Sequence, residues 1–235
     1  MIRLEVVGHY SPSLLSCNRA FSFINFASVG TFMRQPPAAL AYFCDGMLMS
    51  GFMTKVSGQP VQRVSFDFTS IADPVLRDAE RQQLRVYIIG ARQAELDVFI
   101  GKLRGRYPQL IIAGTHNGYF DQAQAARIQA DIRDSQANLL LVGLGAGLQE
   151  RFVSDALNAG FDGVAFTCGG FIRQEASASE HYYPEAIDRL HLRAFYRMYR
   201  EPHTIKRYLL DYPRNFLQLA EMIVRHKVAI DITAP

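Results

Sequence analysis

Three glycines that follow an apolar run near the middle of the chain suit the binding of a phosphate. Gly143, Gly145 and Gly147 come after Leu139 to Val142, a predicted buried strand, and before an amphipathic run. A strand, a glycine turn and a helix bring backbone N–H groups close to an anion at the helix N-terminus. The dinucleotide fingerprint G-x-G-x-x-G is incomplete, because Leu148 stands at its third glycine. A phosphate-binding loop and a simple tight turn therefore both fit this stretch.

Asp45 is the candidate for acid–base chemistry. With Gly46 it lies between two apolar segments, where a carboxylate is costly to bury unless it is paired or functional. A carboxylate at the end of a strand could remove the proton from a hydroxyl nucleophile. A turn-forming Asp-Gly dipeptide is the structural alternative. His116, in a loop after a predicted strand, fits either a functional or an ordinary solvated histidine.

Familiar metal-binding and nucleophile motifs are missing from the sequence. It contains no H-E-x-x-H, G-x-S-x-G, P-loop or D-x-D motif, and its six histidines are scattered. We therefore predict no metal site and no cofactor. The charge of a diphosphate ligand would have to be met by backbone N–H groups, helix N-termini and arginines.

Strands and helices alternate along most of the chain. Apolar segments of strand length end near Asn25, Gly90, Gly114, Gly143 and Gly169, and amphipathic runs separate most of them. This alternation predicts an α/β fold, with a mostly parallel, Rossmann-like sheet that has helices on both faces and a C-terminal helical appendage. Ligands bind at the carboxyl ends of strands in such sheets, so these polar and glycine-rich ends are expected to meet at one edge.

Two helices are predicted between the strand that ends near Asn25 and the strand that ends near Gly90. The first runs from Thr31 to Tyr42 and is interrupted or restarted at Pro36 and Pro37. The second runs from Ile71 to Gln83, with Thr69 as its N-cap.

The composition is that of a folded, non-membrane chain. At 235 residues, with 49% hydrophobic and 20% charged residues, it can bury a core in one large domain, or in one domain with an appendage. No apolar run approaches the roughly 20 residues that span a bilayer, and the start lacks the layout of a signal peptide. Cys17, Cys44 and Cys168 are odd in number and far apart, which indicates free thiols in a reducing cytoplasm.

Basic residues are concentrated near the C-terminus. Between Arg189 and Lys227 there are nine lysines and arginines and three acids, whereas the rest of the chain has sixteen bases and nineteen acids. Two helices are predicted there, Ala186 to Tyr199 and Thr204 to Arg225. We therefore divide the chain into an α/β catalytic domain, residues 1–181, and a basic helical appendage, residues 182–235. A solvated helix face is one explanation of this charge, and contact with an anionic partner is the other. No nucleic-acid module accompanies it, so we predict no nucleic-acid partner.

Short motifs follow one another along nearly the whole chain after about residue 20. In the first half they are Asn25, Asp45-Gly46, Arg63-Val64 with Asp67, Tyr87 to Gly90, Tyr107-Pro108 and Gly118-Tyr119-Phe120. In the second half they are Val142 to Gly145 with Gln149-Glu150, Gly169-Gly170, Phe195-Tyr196-Arg197, Glu201-Pro202 and Lys206-Arg207-Tyr208. Each is weak alone, but as an ordered set they resemble the WecG/TagA/CpsF family of glycosyltransferases, glycosyltransferase family 26.

The resemblance implies an enzyme that moves a hexose or an N-acetylhexosamine from a UDP-sugar to a polyprenyl-diphosphate-linked saccharide. Its products would be precursors of bacterial exopolysaccharide, capsule or teichoic acid. The transfer would be inverting and metal-independent. The enzyme would be cytoplasmic and would lie on the anionic inner face of the plasma membrane.

The resemblance also implies roles for individual residues. Asp45 would be the catalytic base. Arg197, Arg200 and Arg207 would meet the acceptor diphosphate or the membrane. The nucleotide-sugar site would comprise Asn25, Gly46, Arg63, Asp67, Gly90, Gly118, Tyr119, Phe120, Gly143, Gly145, Gln149, Glu150, Gly169 and Gly170.

The chain departs from the family pattern in several places. Phe23 stands where the family has a threonine, and Gly147-Leu148 replace a Pro-Lys pair. The segment from Phe171 to Tyr183 lacks the family's R-A-P triplet, and Thr204 replaces an arginine of the tail. These differences indicate either a divergent donor or acceptor preference or a loss of activity.

Two other functions stay open from the sequence. The glycine turn also fits a nucleotide-binding oxidoreductase, with Asp162 either as its ribose ligand or as a turn residue. A non-catalytic subunit of a polysaccharide assembly complex is the second alternative. The sequence does not identify the sugar, the acceptor, the linkage or the oligomeric state, and a homo-oligomer is compatible with it.

Overall fold

The computed structural model describes residues 1–36, 40–178, 187, 189–190 and 192–234. In this part of the chain eight parallel strands form one sheet, in the order β5-β4-β6-β7-β2-β3-β1-β8. The strands are β1 (Ile2–Val7), β2 (Ala20–Ile24), β3 (Leu40–Cys44), β4 (Arg85–Gly90), β5 (Ile111–His116), β6 (Leu139–Gly143), β7 (Val164–Thr167) and β8 (Val228–Thr233). The predicted α/β fold with a parallel sheet is confirmed.

Helices cover both faces of this sheet. They are α1 (Val29–Arg34), α2 (Met47–Ser57), α3 (Ala72–Arg81), α4 (Gln93–Arg106), α5 (Gln122–Asp134), α6 (Leu148–Asn158), α7 (Phe171–Ser177), α8 (Arg193–Arg200) and α9 (Tyr212–Val224). A short 3₁₀ turn, Pro202–Thr204, follows α8, and a π-helical turn, Arg207–Asp211, leads into α9. No helix in the described segments is long and apolar enough to cross a bilayer.

Side chains of each strand alternate between two hydrophobic cores, because successive residues of a strand point to opposite faces. In β6, Leu140 and Val142 join the core beneath α1, α2, α5, α6 and α9. Leu139 and Leu141 join the opposite core, beneath α3, α4 and α7. A strand buried on both faces is expected to be continuously apolar, as this one is.

Glycines let the loops after β4, β6 and β7 approach one another closely. A Cβ atom at Gly90, whose φ is +150°, would lie 2.6 Å from the carbonyl oxygen of Gly143. A Cβ atom at Gly143 would lie 2.9 Å from the carbonyl oxygen of Gly169. Neither position can hold a side chain without displacing backbone. These glycines therefore allow the ends of β4, β6 and β7 to pack closely at one edge of the sheet.

The prediction of a helix from Thr31 to Tyr42 is wrong. Helix α1 ends at Arg34, and Leu40–Cys44 is strand β3, while Pro37 lies outside the described residues. All five residues of β3 are buried, and a short run that is apolar on both faces has no periodicity to separate strand from helix. The predicted N-cap of α3 is also wrong, because Ile71 occupies that position and Thr69 hydrogen bonds to Asp67 instead.

The C-terminal segment differs from the prediction at both ends. Helix α8 begins at Arg193, whereas Ala186 and the predicted domain boundary at residues 181 and 182 lie outside the described residues. Strand β8 was not predicted. This strand pairs in parallel with β1 over six residue pairs, from Ile2 with Val228 to Val7 with Thr233. The chain therefore returns to the sheet after α9.

Candidate active site

A cleft of about 950 Å³ lies at the carboxyl ends of the central strands. It lies beside the β2, β3 and β7 ends, where ligands of parallel α/β sheets bind, and its size is that of a small-molecule site. Helices α8 and α9 and the turn between them contribute to its wall. The predicted site residues that line it are Asn25, Asp45, Gly46, Arg63, Asp67, Gly145, Gln149, Gly169, Gly170, Arg197 and Arg207.

Asn25 and Asp45 form a hydrogen-bonded pair in this cleft. They follow β2 and β3 directly, and these strands are paired in register up to Ile24 and Cys44. The Nδ2 atom of Asn25 donates to the Oδ2 atom of Asp45 at 3.1 Å. The backbone N–H groups of Ala27 and Ser28 donate to Oδ1 of Asn25, at 2.9 and 3.0 Å, which fixes the orientation of its amide. The half-buried Asp45 carboxylate is thus held in one direction.

The cleft carries an excess of positive charge. Among the described residues that line it are four acids and seven arginines. The arginines are Arg34, Arg63, Arg173, Arg193, Arg197, Arg207 and Arg214. Guanidinium groups bind phosphate oxygens in a bidentate manner, so this surface suits a ligand with one or more diphosphates.

Arg193 fastens α8 to the loop that precedes α3. Its Nη1 atom lies 2.8 Å from Oδ2 of Asp67, and both side chains are largely buried. Arg193 also donates to Thr69 and Ser65. The Ser65 hydroxyl in turn donates to Asp67 at 2.7 Å and accepts from Arg63 at 2.7 Å. Arg63 and Asp67 were predicted as site residues, but Arg193 was not, because it lies 126 positions from its partner in the chain.

Glu201 provides a second attachment, at the end of α8. It is 8% exposed and accepts hydrogen bonds from Arg173 at 3.2 Å and Gln174 at 3.1 Å, both on α7. The two attachments hold α8 against the body of the protein on either side of Arg197. This arrangement positions Arg197 in the cleft wall.

Two tyrosines of the π-helical turn and α9 lie near Asp45. The rings of Tyr208 and Tyr212 are 5.0 Å apart, and Tyr208 is hydrogen-bonded to Arg197. Burial raises the pKa of both phenols, and the negative charge of Asp45 acts in the same direction. Both groups are therefore protonated at neutral pH, so both can donate a hydrogen bond.

The glycine loop after β6 contributes Gly145 to the cleft lining. The two polar residues that follow it, Gln149 and Glu150, hydrogen bond to neighbouring segments of the chain. Gly145 and Gly147 have φ values of +83° and +93°. The backbone N–H of Gly169 donates to Oε1 of Gln149 at 3.0 Å. The buried Glu150 carboxylate accepts from the N–H of Gly147 at 2.6 Å and from the Ser22 hydroxyl at 2.7 Å. Glu150 therefore caps α6, and the N–H of Gly147 is already occupied.

The remaining predicted site residues lie outside the cleft lining: Gly90, Gly118, Tyr119, Phe120, Gly143, Glu150 and Arg200. The backbone N–H of Gly118 donates a hydrogen bond to the carbonyl oxygen of Ala91 at 2.8 Å, and Phe120 packs edge-on against His116. Tyr119 is 69% exposed. Within the described part of the chain, no three His, Cys, Asp or Glu side chains are grouped so that they could hold a metal ion.

The departures from the family pattern also fall in this region. Phe23 lines the cleft just before Asn25 and stacks on Phe43, with ring centroids 5.5 Å apart. Thr204 is buried, and its hydroxyl donates to the carbonyl of Glu201 at 2.8 Å. Phe23 therefore gives the cleft an apolar surface beside Asp45, and Thr204 has a structural contact in the turn after α8.

Comparison with known proteins identifies the relatives of this chain. It is 30% identical over 172 residues to a UDP-Gal:alpha-D-GlcNAc-diphosphoundecaprenol beta-1,4-galactosyltransferase of Shigella boydii, covering 73% of this chain and 72% of that protein. It is 28% identical over 214 residues to an N-acetylglucosaminyldiphosphoundecaprenol N-acetyl-beta-D-mannosaminyltransferase of Bacillus spizizenii, covering 86% and 80%. The enzyme of the same name from Bacillus subtilis is 27% identical over 131 residues, covering 56% and 50%.

The family model matches the part of the chain that builds the cleft. The match runs from residue 25 to residue 229, so it includes Asp45, the glycine loop, α8 and α9. The predicted resemblance is confirmed, and it favours a glycosyltransferase over the oxidoreductase alternative. The chain with this Asn25–Asp45 pair and arginine-rich cleft belongs to the glycosyl transferase WecG/TagA/CpsF family.

Proposed function

We propose that this protein transfers a sugar from a UDP-sugar to N-acetylglucosaminyl diphosphoundecaprenol in the synthesis of a bacterial cell-surface polysaccharide. The named relatives support this acceptor, since each acts on a GlcNAc-diphosphoundecaprenol. Their donors differ, because one transfers galactose and the others N-acetylmannosamine. UDP-galactose and UDP-N-acetylmannosamine are therefore the first donors to test.

The observation that carries the proposal is the Asn25–Asp45 pair in an arginine-rich cleft. Asp45 accepts the proton of the acceptor hydroxyl as its oxygen attacks the anomeric carbon of the donor. The bond from that carbon to the UDP phosphate breaks, and UDP leaves with the electron pair. Asn25 holds one oxygen of Asp45, so the other is available to the hydroxyl.

The reaction is inverting and needs no metal in this proposal. UDP-galactose carries its sugar in α linkage, and the Shigella relative is named for a β product. Direct attack on the face opposite UDP gives that inversion. Arginines of the cleft wall offset the charge that develops on the leaving diphosphate, a role that a cation fills in other transferases, and Arg197 and Arg207 meet the acceptor diphosphate.

The predicted residues that line the cleft form the donor site in this proposal, and the predicted residues outside the lining hold the surrounding loops in place. Gly145, Gly169 and Gly170 allow close approach of the UDP phosphates. Gly90, Gly118 and Gly143 permit the packing of the loops, and Gln149 and Glu150 tie those loops together. Tyr119 and Phe120, in the loop after β5, support the donor site beside Gly118.

The C-terminal appendage, residues 182–235, meets the anionic inner face of the plasma membrane in this proposal. Large apolar side chains on the π-helical turn and α9 are exposed next to basic ones. Leu209, Leu210 and Leu217 are 65%, 59% and 65% exposed. Basic and apolar residues on one surface suit binding to anionic lipid. Association of several copies is compatible with this arrangement and is not required by it.

A direct transfer assay tests the function. Purified protein is incubated with each UDP-sugar and GlcNAc-diphosphoundecaprenol, with and without EDTA, and the anomeric proton of the product is examined by NMR. We expect transfer from at least one donor, unchanged by EDTA, with a β linkage. Activity that EDTA abolishes would contradict the metal-independent part, and an α product would contradict inversion. No transfer from any UDP-sugar would support a non-catalytic subunit.

A further inference from the structure

Three large apolar side chains are exposed where one would expect a polar sugar site. Among the described residues that line the cleft, Met47 is 53%, Leu48 68% and Phe195 66% exposed. Single exposed apolar residues are common on protein surfaces, but a group in the wall of a charged cleft indicates contact with an apolar ligand.

The position of Met47 and Leu48 is fixed by the helix on which they lie. They form the first turn of α2, directly after Gly46, which is the N-cap with a φ of +91°. Met49 and Met53, one helical turn apart, are almost completely buried and anchor the opposite side of the helix. Met47 and Leu48 therefore cannot turn inward without lifting α2 from the core.

These apolar residues lie close to the catalytic carboxylate of the proposed reaction. Leu48 is three residues after Asp45, so their Cα atoms are at most about 11 Å apart. The same cleft holds Arg197 and Arg207. Carboxylate, guanidinium groups and apolar side chains are thus all within reach of one extended ligand.

We propose that Met47 and Leu48, with Phe195, hold the first isoprene units of the lipid acceptor where they leave the cleft. The identity of this occupant rests on the proposed function. The acceptor consists of a sugar, a diphosphate and an isoprenoid chain, and the cleft offers a base for the first, arginines for the second and apolar side chains for the third. A bilayer surface fits less well, because these side chains line a concave wall beside charged groups.

Fluorescence can test this contact without any transferase activity. The chain contains no tryptophan, so Leu48→Trp introduces a single reporter at the cleft, and Val56→Trp introduces one elsewhere on α2. Val56 is exposed and does not line the cleft, which makes it a matched control. We expect farnesyl diphosphate to shift the emission of Leu48→Trp to shorter wavelength and to leave Val56→Trp unchanged, while inorganic diphosphate shifts neither.

Three outcomes would overturn the proposal. They are no shift of Leu48→Trp with farnesyl diphosphate, an equal shift of both reporters, or a shift of Leu48→Trp with anionic vesicles alone. The last would assign Met47 and Leu48 to the bilayer instead of the chain. Binding of farnesyl diphosphate does not require transfer. A negative transfer assay would therefore refute the proposed function, and the fluorescence test would still decide whether Met47 and Leu48 contact an isoprenoid chain.

Kinetics with two acceptors provides a second test once transfer is measured. Met47→Gln/Leu48→Gln should lower kcat/KM for the polyprenyl acceptor by about tenfold, because the variant loses apolar contact with the chain. A tenfold loss corresponds to about 1.4 kcal/mol. With a GlcNAc diphosphate that carries a short alkyl group instead of the polyprenyl chain, the double variant should be as active as the unmodified protein. Val56→Gln should affect neither. An equal loss with both acceptors would contradict contact with the chain.

Discussion

Asp45 is the residue on which the proposed chemistry depends. Asp45→Asn keeps the size of the side chain but removes its basicity, so turnover should fall about 10²–10⁴-fold. The dissociation constant of the UDP-sugar should change little, because Asp45 acts on the acceptor hydroxyl. Steady-state kinetics and isothermal titration calorimetry would measure the two effects separately.

Asp211 offers a matched control for this substitution. It also lines the cleft, but it is exposed and lies on the π-helical turn. Asp211→Asn should lower turnover far less than Asp45→Asn. Full activity of Asp45→Asn would remove the base from the proposed mechanism.

The cysteines provide a test of the packing around Asp45. Burial raises the pKa of the Cys44 thiol to about 12, and the neighbouring Asp45 charge adds to the effect. Burial also raises the pKa of Cys168. Both thiols are therefore protonated at pH 8 and sheltered from reagents, whereas Cys17 is half-exposed.

We expect a thiol reagent at pH 8 to modify Cys17 rapidly in the folded protein and the other two only after unfolding. Mass spectrometry of the labelled peptides would identify the modified residues. Fast labelling of Cys44 in the folded protein would contradict a buried β3, and Cys17→Ser should abolish the fast phase.

At the scale of single residues, the sequence predicted what local motifs encode. Asn25 was predicted from a polar strand end and Asp45 from an Asp-Gly dipeptide between apolar segments, and the structure brings the two side chains within hydrogen-bonding distance. Arg193 was missed because its contact with Asp67 joins residues 126 positions apart, and no local pattern encodes such a contact. Glu150 belongs to a recognisable motif, but only the structure reveals its bond to Ser22.

At the scale of elements, amphipathic helices and alternating strands were predicted well, and elements without periodicity were not. Helices α4, α5 and α6 lie where amphipathic runs separate the predicted strands. The first three residues of β3 were predicted as helix, because a short strand that is buried on both faces has no periodicity of its own. β8 was not recognised, because six residues after a long helix carry too little pattern to reveal pairing with the first strand.

Arg193 is a single residue that determines the position of a whole helix, because its ion pair with Asp67 holds α8 in place. Removing the guanidinium deprives the largely buried Asp67 carboxylate of this ion pair, which typically costs about 3 kcal/mol. We therefore expect Arg193→Ala to release α8 locally, with faster hydrogen exchange of its amides and a higher KM for the acceptor. Arg193→Lys should be intermediate, since lysine keeps the charge but lacks the fork that reaches Asp67, Ser65 and Thr69.

Arg200→Ala on the same helix is the control, because Arg200 is exposed and lies outside the cleft lining. Exchange in α8 should be nearly unchanged in that variant. Equal exchange in Arg193→Ala and the unmodified protein would show that α8 is held by other contacts, of which Glu201 with α7 is the first to examine.

At the scale of the whole molecule, the C-terminal segment carries both a strand of the sheet and the surface proposed to meet the membrane, and truncation would remove the two together. β8 belongs to the central sheet, and Val228 is buried in the core. Deleting the segment would therefore remove a sheet strand together with the basic surface. Point substitutions that change only charge are the appropriate test of membrane binding.

Arg200 and Lys206 are suited to that test, because both are exposed and neither lines the cleft. A basic residue near an anionic membrane contributes about 1 kcal/mol, so Arg200→Gln/Lys206→Gln should weaken binding to anionic vesicles roughly 30-fold. Added salt should weaken the binding of the unmodified protein, since the Debye length falls from about 10 Å at 0.1 M to 3 Å at 1 M. Vesicle co-sedimentation at several salt concentrations would measure both effects.

The matched control carries the same charge change elsewhere on the surface. Arg104 on α4 and Arg127 on α5 are exposed, so Arg104→Gln/Arg127→Gln lowers the net charge equally without altering the appendage. Vesicle binding that depends on the total charge would fall in both double variants. Binding through the appendage would fall only in Arg200→Gln/Lys206→Gln, because the attraction decays within a Debye length and depends on which surface faces the membrane. Equal binding by all three proteins would refute an electrostatic membrane role for the appendage.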